Sequence, residues 1–208
     1  MNTNVLITFY SRYGNTRALA EAIAEGARQV GNAEVRLRRV GDLAPENVIS
    51  NDERWAETRK SMMEAYPEPT NDDLEWADAI FFGSPTRYGN VSAELKLFID
   101  KTGPLWLAGR LVDKVASVFT STSTIHGGNE STLLSLLNPL LHLGMIVVAP
   151  GYADPITFVA GSPYGATSVS GPDADEPPTD ADLAVARFIG KRATERALWL
   201  KLGKQAVA

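Results

Sequence analysis

Ser11-Arg12-Tyr13-Gly14-Asn15-Thr16 places two hydroxyls, an amide and a glycine between a short β-branched run and the first helical register. Backbone N–H groups at such a strand-to-helix junction point outward and favour an anion. The hydroxyls of Ser11 and Thr16 and the amide of Asn15 add neutral donors, and Gly14 permits a turn that a Cβ resists. The segment lacks the Gly-x-Gly-x-x-Gly spacing of dinucleotide folds and the Gly-Lys-Ser/Thr of P-loops. A monophosphate held by neutral donors is the sharper chemistry, with Val5 to Arg17 as its cradle. The plain alternative is a turn that merely caps a helix.

Two further loops carry chemistry. Pro85-Thr86-Arg87-Tyr88-Gly89-Asn90 combines a planar cation, an aromatic ring and a glycine. A flavin ring needs amide donors at its polar edge and an aromatic neighbour, stacked or edge-on; a surface turn with Tyr88 half buried is the other reading. Thr120-Ser121-Thr122-Ser123-Thr124-Ile125-His126-Gly127-Gly128-Asn129 is dense in hydroxyls and small residues. Its amides could stabilise negative charge at the N1–C2=O edge of a flavin, by the logic of an oxyanion hole. A polar loop without a ligand is the alternative. The only histidines are His126, in this loop, and His142, at the end of an apolar helical stretch. No Ser/His/Asp order or metal-ligand cluster stands out, and hydride transfer needs little side-chain catalysis because the cofactor carries the chemistry. No metal is expected. Trp106, in Gly103-Pro104-Leu105-Trp106, reads equally as core or as pocket wall.

Positioning these loops requires alternating strands and helices. Val5–Tyr10 reads as a buried strand, and from Thr16 the residues Leu19, Ile23, Ala27 and Val30 recur at helical spacing until Gly31-Asn32. Val35–Val40 predicts a second strand, Ala79–Gly83 a third, Val115–Phe119 a fourth and Ile146–Ala149 a fifth. Helices are expected over Asp52–Tyr66, Asp72–Ala77, Ser92–Lys101, Ser131–Leu143 and Asp180–Leu202. Pro139 should kink or interrupt the fourth of these, and Asp180 can serve near the N-cap of the last. Five alternations predict an α/β fold: a doubly wound, five-stranded parallel sheet of order 2-1-3-4-5 with helices on both faces. Ligands of such sheets bind beyond the carboxyl ends of the strands at the topological switch point. The loops after strands one, three and four should meet there.

The chain of 208 residues fits one domain, 1–208, with additions near 41–71 and in the Gly-, Pro-, Ser- and Asp-rich stretch 151–179. It has no cysteine, which excludes disulfides, thiolate catalysis and Cys-based metal sites. A net charge of −5 without a basic run argues against a nucleic-acid partner. No run of roughly 18 apolar residues is present, so no membrane span is expected. The first residues lack a basic region and cleavage site, which makes a cytoplasmic location the default expectation.

Five segments together resemble the WrbA family of flavodoxin-like NAD(P)H:quinone oxidoreductases. They are Tyr10–Thr16, Phe82–Asn90, Phe98–Trp106, Ala116–Phe119 and Gly161–Thr167, in the family's order over nearly the whole chain. The resemblance implies FMN, two-electron reduction of quinones by NADH or NADPH in ping-pong order through flavin N5, and a homotetramer. It places Ser11, Arg12, Tyr13, Gly14, Asn15 and Thr16 at the flavin phosphate and puts Tyr13 near the nicotinamide as well. Pro85, Thr86, Arg87, Tyr88, Gly89 and Asn90 fall along the isoalloxazine. Ser121, Thr122, Ser123, Thr124, His126 and Gly127 fall at its polar edge. It makes His142 a flavin-site histidine and lines the quinone pocket with Tyr88 and Trp106. Asn15 stands where the family often has histidine, and Ser123–Gly128 replaces a more continuous glycine run. An acidic flavodoxin-type one-electron carrier docking on a basic redox partner is the rival reading. A flavin-binding regulatory protein without turnover is a third.

Overall fold

A computed structural model describes residues 2–206. β1 (Thr3–Phe9) leads through a tight turn into α1 (Asn15–Arg28), and α1 returns to β2 (Ala33–Arg39). Three helices follow, α2 (Glu46–Ser50), α3 (Glu53–Ala65) and α4 (Asn71–Trp76), before β3 (Ala79–Pro85). Then come α5 (Ala93–Asp100), α6 (Gly103–Leu107), β4 (Val115–Thr122), α7 (Asn129–His142), β5 (Ile146–Val147), β6 (Ala166–Val169) and α8 (Asp180–Ala206). The strands form a parallel sheet of order β2-β1-β3-β4-β5, the expected flavodoxin-like order. No described helix is long and apolar enough to cross a membrane.

Side chains alternate across a strand, so a sheet covered on both faces must be apolar at successive positions. In β1, Val5, Ile7 and Phe9 join a core with α1 and α8, while Leu6 joins a second core with α5 and α7. In β3, Phe81 turns to the first core and Ile80 and Phe82 to the second. This is why the strands read as unbroken apolar runs. Burying each large side chain stabilises the fold by roughly 1.5–3 kcal/mol.

Several expectations needed correction. The fifth strand, expected over Ile146–Ala149, is two residues long and pairs with only Val115 and Ala116. The remainder of that sheet edge is supplied by β6, which pairs with Phe119–Thr122 from within the stretch read as irregular. Pro150-Gly151 ends the first piece, and a turn closed by the Ser162–Gly165 bridge brings the chain back for the second. The same pairing draws β4 on to Thr122, so Thr120, Ser121 and Thr122 are strand residues rather than loop. α7 runs from Asn129 to His142 through Pro139 without interruption. Thr179, not Asp180, caps α8, accepting from the Asp182 N–H at 3.1 Å while the Asp182 carboxylate accepts from the Thr179 N–H at 2.9 Å.

α1 and α8 meet backbone to backbone. A Cβ on Gly190 would lie 2.2 Å from the Ile23 carbonyl oxygen, and one on Gly26 would lie 1.9 Å from that of Arg187. Gly190→Val must therefore push the two helices apart and should destabilise the protein by about 1–3 kcal/mol, the usual cost of overpacking. Urea melts of wild type and variant test this; a loss below about 0.5 kcal/mol would mean the helices separate freely.

Candidate functional site

The turn after β1 leaves the start of α1 without a side-chain cap. Ser11 is buried, and its Oγ accepts the Gly14 N–H at 3.1 Å, folding residues 11–14 back on themselves. Gly14 is the N-cap of α1 at φ 104°, ψ −16°, a conformation glycine tolerates readily. It supplies no side-chain cap, so the N–H groups of the first turn of α1 keep no capping partner. Thr16 Oγ1 lies 2.8 Å from Ser121 Oγ at the end of β4. That contact joins the first loop to the third across the switch point.

The loop after β3 locks onto the same edge. The Thr86 N–H donates to the Ser121 carbonyl at 2.9 Å. Thr86 Oγ1 accepts from the Gly89 N–H (3.0 Å) and from Thr132 Oγ1 (2.8 Å), and donates to the Gly127 carbonyl (3.3 Å). Arg87 and Asn90 pair around a two-residue turn in which Tyr88 and Gly89 both have positive φ, 54° and 75°. A Cβ on Gly128 would fall 2.7 Å from Gly89 Cα, so the second and third loops can interlock only through glycine.

Between these loops lies a cavity of about 610 Å3, part of it open to solvent. Its walls include Ser11, Arg12, Tyr13, Asn15, Thr16, Pro85, Thr86, Arg87, Ser121, Thr122 and Ser123. Gly14 shapes the turn beneath it. Tyr88, Gly89, Asn90, Thr124, His126 and Gly127 belong to the loops but do not line the cavity, and Tyr88 is fully exposed. Trp106 and His142 are not brought there. They share a second, open cleft of about 800 Å3 with Ile99, Thr102, Pro139 and Leu143. Ser170 and Ala174 line the first cavity, and sequence reasoning missed both. Their only signal was their place just beyond the Gly161–Thr167 segment.

The side chains around the turn are tied to one another through Asp52. Arg12 pairs with Asp52 at 3.0 Å and stacks 3.9 Å from the Trp55 ring. The Tyr13 hydroxyl donates to the same Asp52 oxygen. Burial and that hydrogen bond hold the Tyr13 phenol above its ordinary pKa. The bond from Tyr13, together with the Trp55 backbone N–H, holds Asp52 below the usual carboxylate range. Asp52 thus offsets the Arg12 charge, while Arg54, 4.6 Å from the Tyr13 ring, and Arg87 in the cavity wall donate to backbone carbonyls.

A family model described as NADPH-dependent FMN reductase matches residues 4–155. The chain belongs to the NADPH-dependent FMN reductase family. A protein of Geotalea uraniireducens named NAD(P)H dehydrogenase (quinone) is 47% identical over 194 residues, 90% of this chain and 94% of that one. A protein of the same name from Aromatoleum aromaticum is 44% identical over 207 residues, 97% and 99% of the two chains. Among solved structures, the flavodoxin, WrbA-like protein from Agrobacterium tumefaciens matches at a TM-score of 0.66 and 26% identity, covering 95% of this chain and 99% of that one. The resemblance to the WrbA quinone oxidoreductases is borne out.

The cofactor named in the FMN reductase family fits these residues. An uncapped helix N-terminus and the hydroxyls of Ser11, Thr16 and Ser121 form a donor set for a phosphate. Asn15 has its side-chain oxygen buried without a partner. Since the orientation of a terminal amide is assigned from its partners, its nitrogen can face a phosphate oxygen instead.

Proposed function

We propose that this chain is an FMN-dependent NAD(P)H:quinone oxidoreductase working as a homotetramer. The observation that carries the reading is the cavity at the β1/β3 switch point, where the uncapped start of α1 faces the Thr86 and Ser121–Ser123 walls. When bound, FMN supplies two-electron hydride relay through N5, taken from NAD(P)H and passed to a quinone in ping-pong order. Ser11 to Thr16 hold the phosphate. Thr86, fixed by four hydrogen bonds, and Arg87 lie along the ring. Ser121, Thr122 and Ser123 set hydroxyls and backbone amides at its polar edge. The side chains thus bind and orient, and none is needed to form a covalent bond.

Trp106 and His142 support the oligomer. The family resemblance puts His142 at the flavin and Trp106 in the quinone pocket, yet in one chain they sit in a separate cleft, next in sequence to exposed Leu141 and Leu107. A second copy presenting that cleft would complete the site and cover its apolar rim.

Steady-state kinetics of FMN-loaded protein with NADH, NADPH and a benzoquinone test the reading. The expected result is parallel double-reciprocal lines, with a tetramer by light scattering. Intersecting lines would remove the ping-pong order, and absence of NAD(P)H oxidation would remove the activity. For Trp106→Ala the expected result is a weakened assembly and a raised KM for the quinone.

A further inference from the structure

The first turn of α3 is tied to two walls of the cavity at once. On one side, Asp52 Oδ1 caps the helix by accepting the Trp55 N–H at 2.9 Å. Asp52 Oδ2 meanwhile accepts from Arg12 Nη2 at 3.0 Å and from the Tyr13 hydroxyl. Trp55 reinforces this side. Its ring lies 3.9 Å from the Arg12 guanidinium, and its Nε1 donates to Asp42 at 3.0 Å.

On the other side, two residues from the cap, Arg54 reaches the turn after β6. Its guanidinium donates to the Asp173 carbonyl at 3.0 Å and to the Ala174 carbonyl. Ala174 lines the cavity and has φ 55°, a backbone that a residue with a Cβ rarely holds without outside restraint. The Tyr13 ring meets two guanidiniums, that of Arg12 at 4.8 Å and that of Arg54 at 4.6 Å from its centroid.

These contacts link segments far apart in sequence. Residues 12–13 follow β1, residues 52–55 open α3 in the 41–71 addition, and residues 173–174 follow β6. No other ion pair or side-chain hydrogen bond among the described residues joins the 171–176 turn to the 52–55 turn.

We propose that Asp52 and Arg54 are positioning residues that clasp the phosphate turn to the 170–176 segment. They fix the Tyr13 ring as a cavity wall and slow the escape of FMN. Neither touches the reacting atoms; each acts through Tyr13 or Ala174. The proposal rests on the reading of this cavity as the FMN and NAD(P)H site.

The test compares FMN-loaded wild type with Arg54→Ala, Arg54→Lys and Asp52→Asn. Asparagine can still cap α3 and accept from Tyr13, but it removes the charge from Arg12. FMN release is followed by recovery of flavin fluorescence on dilution. Arg54→Ala should release FMN about fivefold faster, the effect of losing one or two solvent-exposed hydrogen bonds. Its KM for NADH should rise by a similar factor while kcat falls less than about twofold. Asp52→Asn should also speed release, and Arg54→Lys should restore part of the loss. A purely structural role would lower the melting temperature and leave release and KM at wild-type values in both Arg54→Ala and Asp52→Asn. That outcome overturns the clasp alone. A wild type that neither retains FMN nor oxidises NADH overturns the site reading, and the clasp with it.

Discussion

Thr16→Asp should lose FMN about a thousandfold while its affinity for riboflavin changes less than about threefold, a split set by where the phosphate charge sits. Thr16 is buried in the first turn of α1, with its Oγ1 2.8 Å from Ser121 Oγ. A carboxylate there would take the free N–H groups of that turn for itself, since a negative charge is favoured at a helix N-terminus. It would also oppose the phosphate at close range. Two like charges about 4 Å apart at an effective dielectric near 20 repel by about 4 kcal/mol, which is roughly three decades in Kd. The fold should survive because the same position favours aspartate. Flavin fluorescence titrations of the apo-protein with FMN and with riboflavin measure the split. Parallel losses for both flavins would place the damage in the shape of the pocket rather than at the phosphate. A loss under tenfold for FMN would move the phosphate away from this turn.

That turn could be read from the sequence because two local signals agreed. A buried, partly β-branched strand led through a short turn into a helix, and Ser11, Gly14, Asn15 and Thr16 lay at the junction with Arg12 and Tyr13. The sheet order then did the rest: β1, β3 and β4 are neighbours, so the loops after them must meet. What stayed hidden depends on contacts between segments distant in sequence. β6 is four residues, Ala-Thr-Ser-Val, with no distinctive period, and it is a strand only because the end of β4 offers it an edge. Ser170 reaches the cavity through that pairing, and Ala174 through the turn after it, which Arg54 holds. Asp52 looked like an ordinary helix start, and nothing local shows that its second oxygen serves Arg12 and Tyr13. The position of His142 follows from helix length. α7 opens beside the site at Gly128 and runs 14 residues, so its last residue lies about 20 Å along the axis from its first.

The largest stability effect is expected at Asp42, outside the cavity but beneath its turn. The Asp42 and Arg39 side chains are each only 2% exposed and pair at 2.6 Å. The other Asp42 oxygen accepts from the Tyr10 hydroxyl and from Trp55 Nε1, both at 3.0 Å. Burial of the Tyr10 phenol and the adjacent Asp42 charge push its pKa well above the ordinary value, so it stays a donor across the stable pH range. Arg39 also donates to the Ser11 carbonyl at 3.3 Å. Asp42 therefore fastens the start of the 41–71 segment to the end of β1, to β2 and, through Arg39, to the turn at Ser11. Asp42→Ala would strand the buried Arg39 and two buried donors, and leave Arg59, 3.5 Å from the oxygen that holds Arg39, with Glu46 alone. Breaking a buried pair from one side costs about 3–5 kcal/mol. In a chain of this size that lowers Tm by on the order of 10 °C. Arg39→Met combined with Asp42→Leu should recover part of the loss, because removing both charges also removes their desolvation cost. Urea melts of the two variants give the comparison. If Asp42→Ala lost less than about 1 kcal/mol, water would have to reach Arg39, and the pair would be worth no more than one on the surface. A double variant as unstable as the single one would place the stabilisation in the Tyr10 and Trp55 hydrogen bonds, whose acceptor both variants lack, rather than in the ion pair.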